Sequence, residues 1–432
     1  MQLKDKLIKE YQRKAQNGFS FKEIRNEHIL FFEKNGFPNI KNEDWKYTNL
    51  LPVLKTDYSI NTEQATITNQ ELNDYILTNT DTYRMVFING HLSHEHSIIN
   101  HDKVIMKSMD DAKIDHAELV QKHWNKLSQK TSDGTLAINT ALAENGAFVY
   151  VPKNTVLDKP IQIVFATKAT EAVFSQTRSL VIAEENAQIQ ITERHQTFND
   201  IEVFCIGATE IFANNNAIVD FYKIQNNNSN ASLVDHTLVG QQKRSNCTVD
   251  TLSIGGKFTR NNLNFYLNGE HAESNMQGIT LIGKDQLVDH HTLVDHAVPN
   301  CLSNELYKGI FDNNSKGVFN GKVMVRPDAQ KTNAFQSNNN LLLTNEASID
   351  TKPQLEIYAD DVACSHGCTI GQLDDEALFY LRSRGIPFKE AQAILMYAFS
   401  NDVLENIKID ELKEKINRII AEKLGVELSL EY

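Results

Sequence analysis

Three side chains that could bind a metal ion lie within five residues near the carboxyl end of the chain. The segment DDVACSHGCTIGQLD, residues 360–374, contains Cys364, His366 and Cys368. On an extended strand they point to one face at intervals of roughly 6.6 Å, given a rise of about 3.3 Å per residue. All three would then span about 13 Å, whereas metal bonds are only about 2.0 to 2.3 Å long. Unless Gly367 lets the backbone turn, the segment supplies only part of a coordination sphere.

The residues alone leave several interpretations of this segment open. A closed structural zinc site normally uses two ligand pairs, and the chain has no Cys-x-x-Cys or His-x-x-x-His pair elsewhere. Cys364 and His366 could be a nucleophile and its base, but no oxyanion arrangement or third group can be identified. Cys364 and Cys368, the latter above all, could instead be small apolar residues packed beneath the C-terminal helices. We favour an open site completed by another chain, and its thiolate and imidazole ligands suit iron and iron-sulfur centres.

Other histidines have weaker claims to a functional role. GHLSHEH places His91, His94 and His96 within six residues, but this stretch follows Asn89-Gly90 and is more typical of a solvated turn. Four further histidines belong to a repeated strand sequence, so the repeat itself is the simpler explanation for their recurrence: His236, His290, His291 and His296.

Two further segments have features of ligand sites. IGGKFT, residues 254–259, has the wrong loop length for a phosphate-binding loop, so the chain is not expected to hydrolyse ATP. EDWKYTNL, residues 43–50, could be an aromatic ligand platform or an anchor that fixes an irregular segment to a core.

Composition excludes several classes of partner. The chain of 432 residues has 43 basic and 56 acidic residues, and its net charge of −13 opposes binding to nucleic acid or to anionic membranes. Neither a secretory signal nor a run of about 18 apolar residues is evident. The five cysteines are too few for a disulfide framework. We therefore expect a cytoplasmic protein.

The segment must be positioned by a long β-rich region, residues 146–372. Short strand-like runs follow one another there, separated by Asn, Gly and Asp clusters. LVDHTLV at 233–239 returns as LVDHHTLV at 287–294, an offset of 54 residues. If two or three coils span that offset, each coil has about 18 to 27 residues, which predicts a β-helix with the NNN clusters that start at 214, 226 and 338 at its corners. A double-sheet jelly roll is the alternative.

Helical patterns flank this region on both sides. Residues 1–145 are predicted to be a helical and mixed α+β region, with helices over 2–35 that break at Asn17-Gly18. Residues 373–432 are predicted to be a helical domain, in which Asp374 caps the first helix, Pro387 starts the second and Gly425 ends the third. The predicted fold is therefore mainly β.

Two segments of the chain resemble motifs of a known protein family. EIYADDVACSHGCTIGQLDDEALFYLRSRGI, residues 356–386, resembles the signature region of the SufB/SufD family of iron-sulfur cluster assembly proteins, and EDWKYTNL resembles its SufD branch. The chain also lacks an amino-terminal Cys-x-x-Cys segment and an evident counterpart of the sulfur-accepting cysteine of SufB. Both absences favour the SufD branch, and the resemblance covers essentially the whole chain.

The resemblance implies a right-handed parallel β-helix and a complex with two partners. SufB would pair near the carboxyl end of the β-helix, and the ATPase SufC would bind the helical domain at 373–432. The chain itself would be a non-catalytic scaffold, and an isolated chain could form a homodimer.

The resemblance also implies roles for two residues. His366 matches a histidine implicated as a cluster ligand, and Cys364 matches the thiol beside it. We expect a transient iron-sulfur cluster shared with the partner chain, and no tightly bound cofactor in the isolated chain. The alternative from another class is a β-helix that binds or cleaves polysaccharide with carboxylates such as Asp235, Asp289 and Asp295.

Overall fold

The amino-terminal region combines helices with three short strands in the computed structural model, which describes residues 2–18, 20–60 and 64–426. The helices are α1 (Leu3–Asn17), α2 (Lys22–Asn35), α3 (Leu51–Leu54), α4 (Asn69–Asn73), α5 (Met109–Asp115), α6 (Ala117–His123) and α7 (Gly134–Leu142). Single 3₁₀ turns span Glu43–Trp45 and Ser128–Lys130, and the strands are β1 (Tyr83–Ile88), β2 (His91–Leu92) and β3 (Ile105–Ser108). The predicted helix break is confirmed, because α1 ends at Asn17.

Sixteen strands follow in the described part of the chain. They are β4 (Ala147–Val151), β5 (Ile161–Thr167), β6 (Val173–Ala183), β7 (Gln188–Thr197), β8 (Val203–Ala213), β9 (Ile218–Gln225), β10 (Ala231–Gln241), β11 (Asn246–Ser253), β12 (Phe258–Leu267), β13 (Glu273–Ile282), β14 (Leu287–His296), β15 (Leu302–Phe311), β16 (Lys316–Val325), β17 (Thr332–Leu342), β18 (Ser348–Ile357) and β19 (Val362–Gly371).

Successive strands alternate between two sheets. The odd-numbered strands from β5 to β19 join β1 and β2 in a ten-stranded sheet, and the even-numbered strands from β4 to β18 join β3 in a nine-stranded sheet. All ladders between β4 and β19 are parallel. The predicted β-helix is thus confirmed as a parallel solenoid of about 8 turns. The jelly-roll alternative is wrong, because it requires antiparallel neighbours.

The internal repeat does span two coils, but it is out of register with the strand pairing. Val234 pairs with Arg260, which pairs with Asp289, whereas the repeat matches Val234 to Val288. The repeated aspartates therefore face opposite sides of the sheet, Asp235 inward and Asp289 outward. The predicted coil length of about 18 to 27 residues is too short for most coils. Ile161 pairs with Ile191, Phe258 with Leu287 and Leu302 with Asn333, each in the next coil.

Asparagine forms one corner of the solenoid. Asn154, Asn186 and Asn216 have positive φ of 59°, 58° and 57°, and their side-chain amides bond from coil to coil at 2.6 and 2.9 Å. Asparagine tolerates this left-handed backbone better than most residues. The corner predictions at 214 and 226 are confirmed, but the one at 338 is wrong. Residues 338–340 lie within β17, where Asn338 and Asn340 are buried inside the solenoid.

Up to residue 426, three helices follow the last strand: α8 (Asp375–Ser383), α9 (Phe388–Leu404) and α10 (Asp410–Leu424). The predicted boundaries are confirmed. Asp374 accepts hydrogen bonds from the backbone N–H groups of Glu376 and Ala377, Pro387 precedes α9, and Gly425 ends α10 in a left-handed conformation. Residues of α9 and α10 pack on the outer face of the ten-stranded sheet, whereas α8 buries none of its residues.

Candidate functional site

The predicted metal-binding segment forms β19, the last strand of the ten-stranded sheet. β19 pairs only with β17, in a register that places Cys364 beside Ala334, His366 beside Gln336 and Cys368 beside Asn338. Within the described residues, the other edge of β19 has no partner strand. The segment therefore lies on an open sheet edge.

The three side chains point into the solenoid, because the residues beside them in β17 are buried. Gln336 and Asn338 are each 3% exposed. As β18 and β19 form the last coil, no described residue pairs beyond it, and His366 and Cys368 are exposed while Cys364 is half-buried. The segment thus stays extended and its ligands share one face, at the open mouth of the solenoid.

Cys364 lies at the rim of a small apolar cluster formed by residues of the last coils. Val323, Val325, Ala334 and Ala359 form this cluster, and Cys364 packs against it. Partial burial raises the pKa of the Cys364 thiol above its usual value. The thiol is therefore protonated at rest, and metal binding would have to displace its proton.

Cys368 is exposed, so the interpretation that it packs beneath the C-terminal helices is wrong. Its Sγ lies 3.1 Å from the hydroxyl of Thr351 in β18 and 3.8 Å from Oδ1 of Asn338. Cys368 thus faces the same opening as Cys364 and His366.

A buried carboxyl group lies two strands behind His366. Gln336, the neighbour of His366, donates from Nε2 to Oε2 of Glu305 at 2.6 Å. Burial raises the pKa of Glu305 to about 7, and its Oε1 has no hydrogen-bond partner in the described part of the chain. The alternation of inward and outward side chains along β15 predicts that Glu305 points into the solenoid. The sequence does not align β15 with β17 and β19, so it does not predict that Glu305 lies behind His366.

Large apolar side chains are exposed around this end of the molecule. Phe335, Ile357, Tyr358 and Ile370 are between 38% and 62% exposed on the last two coils. Phe379 and Tyr380 of α8 are 74% and 57% exposed, and Phe388 at the start of α9 is 46% exposed. Clusters of this kind mark protein interaction surfaces more often than single exposed residues do.

The other histidines have structural roles. His96 is buried with Nδ1 3.0 Å from Oδ1 of Asn69, and no group of three metal ligands forms with His91 or His94 among the described residues. The four histidines of the repeat contact neighbouring polar side chains: His236 with Thr135, His290 with Thr280, His291 with Asp289, and His296 with Ser303.

EDWKYTNL is an anchor for the amino-terminal region. Trp45 is buried, its Nε1 donates to Asp133 at 2.9 Å, and the guanidinium of Arg260 lies 3.9 Å from the centre of its ring. The hydroxyl of Thr48 donates to Asp289, which also pairs with Arg260 at 2.7 Å. The segment therefore fixes the amino-terminal region to the nine-stranded sheet.

Each of the three carboxylates predicted for polysaccharide chemistry contacts a cationic side chain. Asp235 pairs with Lys223 inside the solenoid, Asp289 pairs with Arg260, and Asp295 accepts two hydrogen bonds of 2.7 Å from Arg326. No free carboxylate pair remains among these three residues. The polysaccharide alternative thus lacks its acid and base.

Comparison with known proteins gives a consistent answer along the chain. Residues 165–399 match the model of the SUF system FeS cluster assembly SufBD core domain, and residues 2–163 match that of the SufBD protein N-terminal region. The chain belongs to the SufBD family. It functions in iron-sulfur cluster assembly.

Several curated SufBD relatives span most of the chain. An iron-sulfur cluster assembly SufBD family protein of Synechocystis is 30% identical over 403 residues, which cover 89% of this chain and 87% of the relative. The iron-sulfur cluster assembly protein SufD of Escherichia coli is 29% identical, with 92% of each chain covered. SufD of Bacillus subtilis is 26% identical over 74% of each chain.

Among the described residues, no helix has both the length and the apolar character needed to span a membrane.

Proposed function

We propose that this chain is a non-catalytic scaffold subunit of a SUF complex of the SufBCD type, in the cytoplasm. It pairs with SufB, binds the ATPase SufC and supplies part of the ligand set of a nascent iron-sulfur cluster. The single observation that carries the proposal is the uncovered last coil, where Cys364 and His366 point into the open mouth of the solenoid beside an unpaired sheet edge.

An uncovered coil is a ready surface for a second solenoid. Solenoid ends normally need a polar cap, and unpaired edge strands offer backbone groups for pairing with another chain. Here β18 and β19 carry no cap among the described residues, and their apolar side chains Ile357 and Ile370 are exposed. A partner with a similar open end would bury these groups and complete both sheets. In the absence of SufB, a second copy of this chain could take that place as a homodimer.

The partner would also complete the coordination sphere. Cys364 and His366 supply at most one thiolate and one imidazole, and four strong ligands on one chain would hold a product cluster too tightly for transfer. The cluster is thus cargo that is shared between chains and then released. Cys368, which is exposed on the same face, is an additional donor whose role the resemblance does not assign.

The first C-terminal helix is the proposed docking site for SufC. α8 carries exposed Phe379 and Tyr380, and only three residues, 372–374, separate it from β19. Movement of α8 by an ATPase would therefore be transmitted to the strand that carries the ligands. Leu378 and Leu381 are half-buried on α8 and would transmit this movement.

Anaerobic co-expression with SufB and SufC tests the proposal. His366→Ala should leave the complex intact and lower its iron and sulfide content to less than half, because the imidazole is replaced by a methyl group. Replacing both Phe379 and Tyr380 with Ala should remove SufC from the purified complex and leave SufB bound. Complex composition is measured by native mass spectrometry, and metal and acid-labile sulfide by chemical analysis.

Matched controls are available in the same chain. His91→Ala changes another exposed histidine far from the open end, and Leu30→Ala changes another exposed apolar residue. A stable His366→Ala complex with undiminished cluster would refute the ligand role. SufC binding that survives the double substitution would place the ATPase contact elsewhere.

A further inference from the structure

A buried arginine without a counter-ion lies on the outer face of the ten-stranded sheet. Arg194 of β7 is only 7% exposed and lies between Val164 of β5 and Ile224 of β9. Its Nε atom is fully buried, and none of its side-chain nitrogen atoms hydrogen-bonds to a described residue. No carboxylate in the described part of the chain forms an ion pair with it either. A buried guanidinium group without such partners is strongly unfavourable.

Other buried arginines show what Arg194 lacks. Each of the three hydrogen-bonds to oxygen acceptors: Arg25 to backbone carbonyls, Arg178 to Glu210 and Arg260 to Asp289. Arg194 instead contacts the ring of Tyr75, whose centre lies 5.4 Å from the guanidinium carbon. A cation–π contact of this kind offsets part of the charge but satisfies none of the N–H donors in the guanidinium plane.

The surroundings of Arg194 are apolar, which strengthens any charge interaction there. Val164 belongs to an apolar cluster of the amino-terminal region, and Ile224 belongs to the cluster that α9 and α10 cover. Phe198 packs edge-on against Tyr75, with 5.1 Å between the ring centres. In such surroundings an anion beside Arg194 is attracted more strongly than at an exposed arginine. Burial lowers the pKa of Arg194 to about 10, so the group is still charged at neutral pH.

Helix α10 places two further cations beside Arg194. The ammonium group of Lys415 donates to the backbone carbonyls of Asn73, at 3.5 Å, and Ile76, on either side of the tyrosine ring that Arg194 covers. Arg418 follows one turn later on α10 and is exposed. Burial lowers the pKa of Lys415, and the positive charges of Arg194 and Arg418 lower it further. We call Arg194, Lys415 and Arg418 the basic junction, because the solenoid, the amino-terminal region and the C-terminal helices meet there.

The acidic groups near the basic junction leave Arg194 unpaired. Glu411 of α10 uses both carboxylate oxygens to accept hydrogen bonds of 2.7 to 3.1 Å from the backbone N–H groups of residues 78–80. Asp74 is exposed. Both carboxylates act to raise the pKa of Lys415, but neither bonds to Arg194 within the described ranges. The guanidinium group therefore keeps its donors for another acceptor.

We propose that the basic junction binds one phosphate-class oxyanion, either inorganic phosphate or the phosphate group of a small metabolite. The planar guanidinium group of Arg194 presents parallel N–H donors that match two oxygen atoms of such an anion. Lys415 uses two of its three N–H donors on backbone carbonyls and has the third for the ligand. A phosphate group carries nearly two negative charges at neutral pH, which match these two cations.

The basic junction is separate from the proposed cluster site. Five strands of the ten-stranded sheet lie between β7 and β19, so the two strands are six steps apart, which is roughly 29 Å at about 4.8 Å per step. The oxyanion site therefore does not depend on the ligand roles of Cys364 and His366. A ligand held by Arg194 and Lys415 together joins the solenoid to α10, so its binding stabilises the packing of the C-terminal helices on the sheet.

Phosphate titration of the purified full chain tests the site. Calorimetric binding and thermal unfolding are measured in a phosphate-free buffer, and sodium chloride keeps the ionic strength constant. We expect saturable binding of one equivalent and a melting temperature that rises with phosphate but not with chloride. Glycerol 1-phosphate is titrated in parallel. Tighter binding of the ester assigns the site to an organic phosphate, and tighter or equal binding of inorganic phosphate assigns it to the free ion.

Replacing Arg194 gives the sharpest comparison. Arg194→Met should weaken phosphate binding by about ten-fold or more, because the charged donors are lost. Without phosphate the same variant should melt above the wild type, because an apolar side chain of similar length replaces an unpaired buried charge. Arg194→Lys keeps the charge without the planar donors and should weaken binding less than Arg194→Met. Lys415→Met should also weaken binding.

A matched control is available in the same sheet. Arg84 of β1 is half-buried and donates to the backbone carbonyl of His96 at 2.7 Å, so Arg84→Met should leave the response to phosphate unchanged. The proposal is overturned if phosphate has no saturable effect beyond that of chloride, which would mean that the ring of Tyr75 alone holds Arg194. It is also overturned if the full response survives Arg194→Met, because phosphate would then bind elsewhere.

Discussion

The two ends of the solenoid differ in how well their inward-facing residues are buried. At the amino-terminal end, inward residues such as Ile161 and Ile191 are fully buried, and Leu92 and Ile99 pack against the same core. At the carboxyl end, inward Ile370 is 49% exposed. One end is therefore covered within the chain, whereas the other is uncovered among the described residues. The proposed cluster ligands Cys364 and His366 lie at the uncovered end.

The ion pairs of the two ends should differ most in their contribution to stability. Arg178 and Glu210 are both buried, and Glu210 also accepts hydrogen bonds from the backbone N–H groups of Asn125 and Leu127. Glu210→Ala should cost about 3 to 5 kcal/mol, because it leaves a buried guanidinium group unpaired. Glu356→Ala breaks the partly exposed pair with Lys322 at the open end and should cost about 1 kcal/mol or less. Urea unfolding of both variants measures the difference, and equal losses would contradict the contrast between the ends.

Structural features that depend on residues close together in the chain can be predicted from the sequence. Asp374 and Gly425 marked the ends of helices, and the alternation of Cys364, His366 and Cys368 predicted that they share one face. Each of these features is decided by hydrogen bonds or backbone geometry within a few residues. The structure confirms the mainly β fold, the two helical flanks and the solenoid on this basis.

Features that depend on alignment between coils could not be predicted. Because the coils differ in length, the repeated aspartates Asp235 and Asp289 lie on opposite faces of the sheet. The asparagines at 338–340 lie within β17 and not at a corner. Glu193 and His195 of β7 meet Asp235 of β10 only because the two strands face each other inside the solenoid. No spacing rule connects residues on strands of two different sheets, so the sequence does not predict this buried polar group.

A matched pair of isoleucines tests the contrast in packing. Ile191 of β7 is fully buried and Ile370 of β19 is half-exposed, and both point into the solenoid. Ile191→Ala should destabilise the isolated chain by about 2 to 5 kcal/mol through lost burial and a cavity. Ile370→Ala should cost less than about 1 kcal/mol in the isolated chain, because the side chain is half-exposed in the folded state and folding buries little of its apolar surface. The free energy of unfolding is measured for both, and a large loss at Ile370 would mean that the open end is covered in solution.

The pH dependence of stability probes the interior just behind the open end. Burial raises the pKa of Glu305 to about 7 from an ordinary 4.5, and the Gln336 amide hydrogen-bonds to its carboxyl group. Between those two values the folded chain holds a proton that the unfolded chain has lost, so the contribution of Glu305 to stability falls as pH rises and then levels off above about 7. The full difference corresponds to about 3 kcal/mol at most. Glu305→Gln should remove this slope, and Glu356→Gln, at a partly exposed position, should leave it in place. The measurement is the free energy of urea unfolding from pH 5 to pH 8, and the same slope in wild type and Glu305→Gln would show that Glu305 is hydrated through the open end.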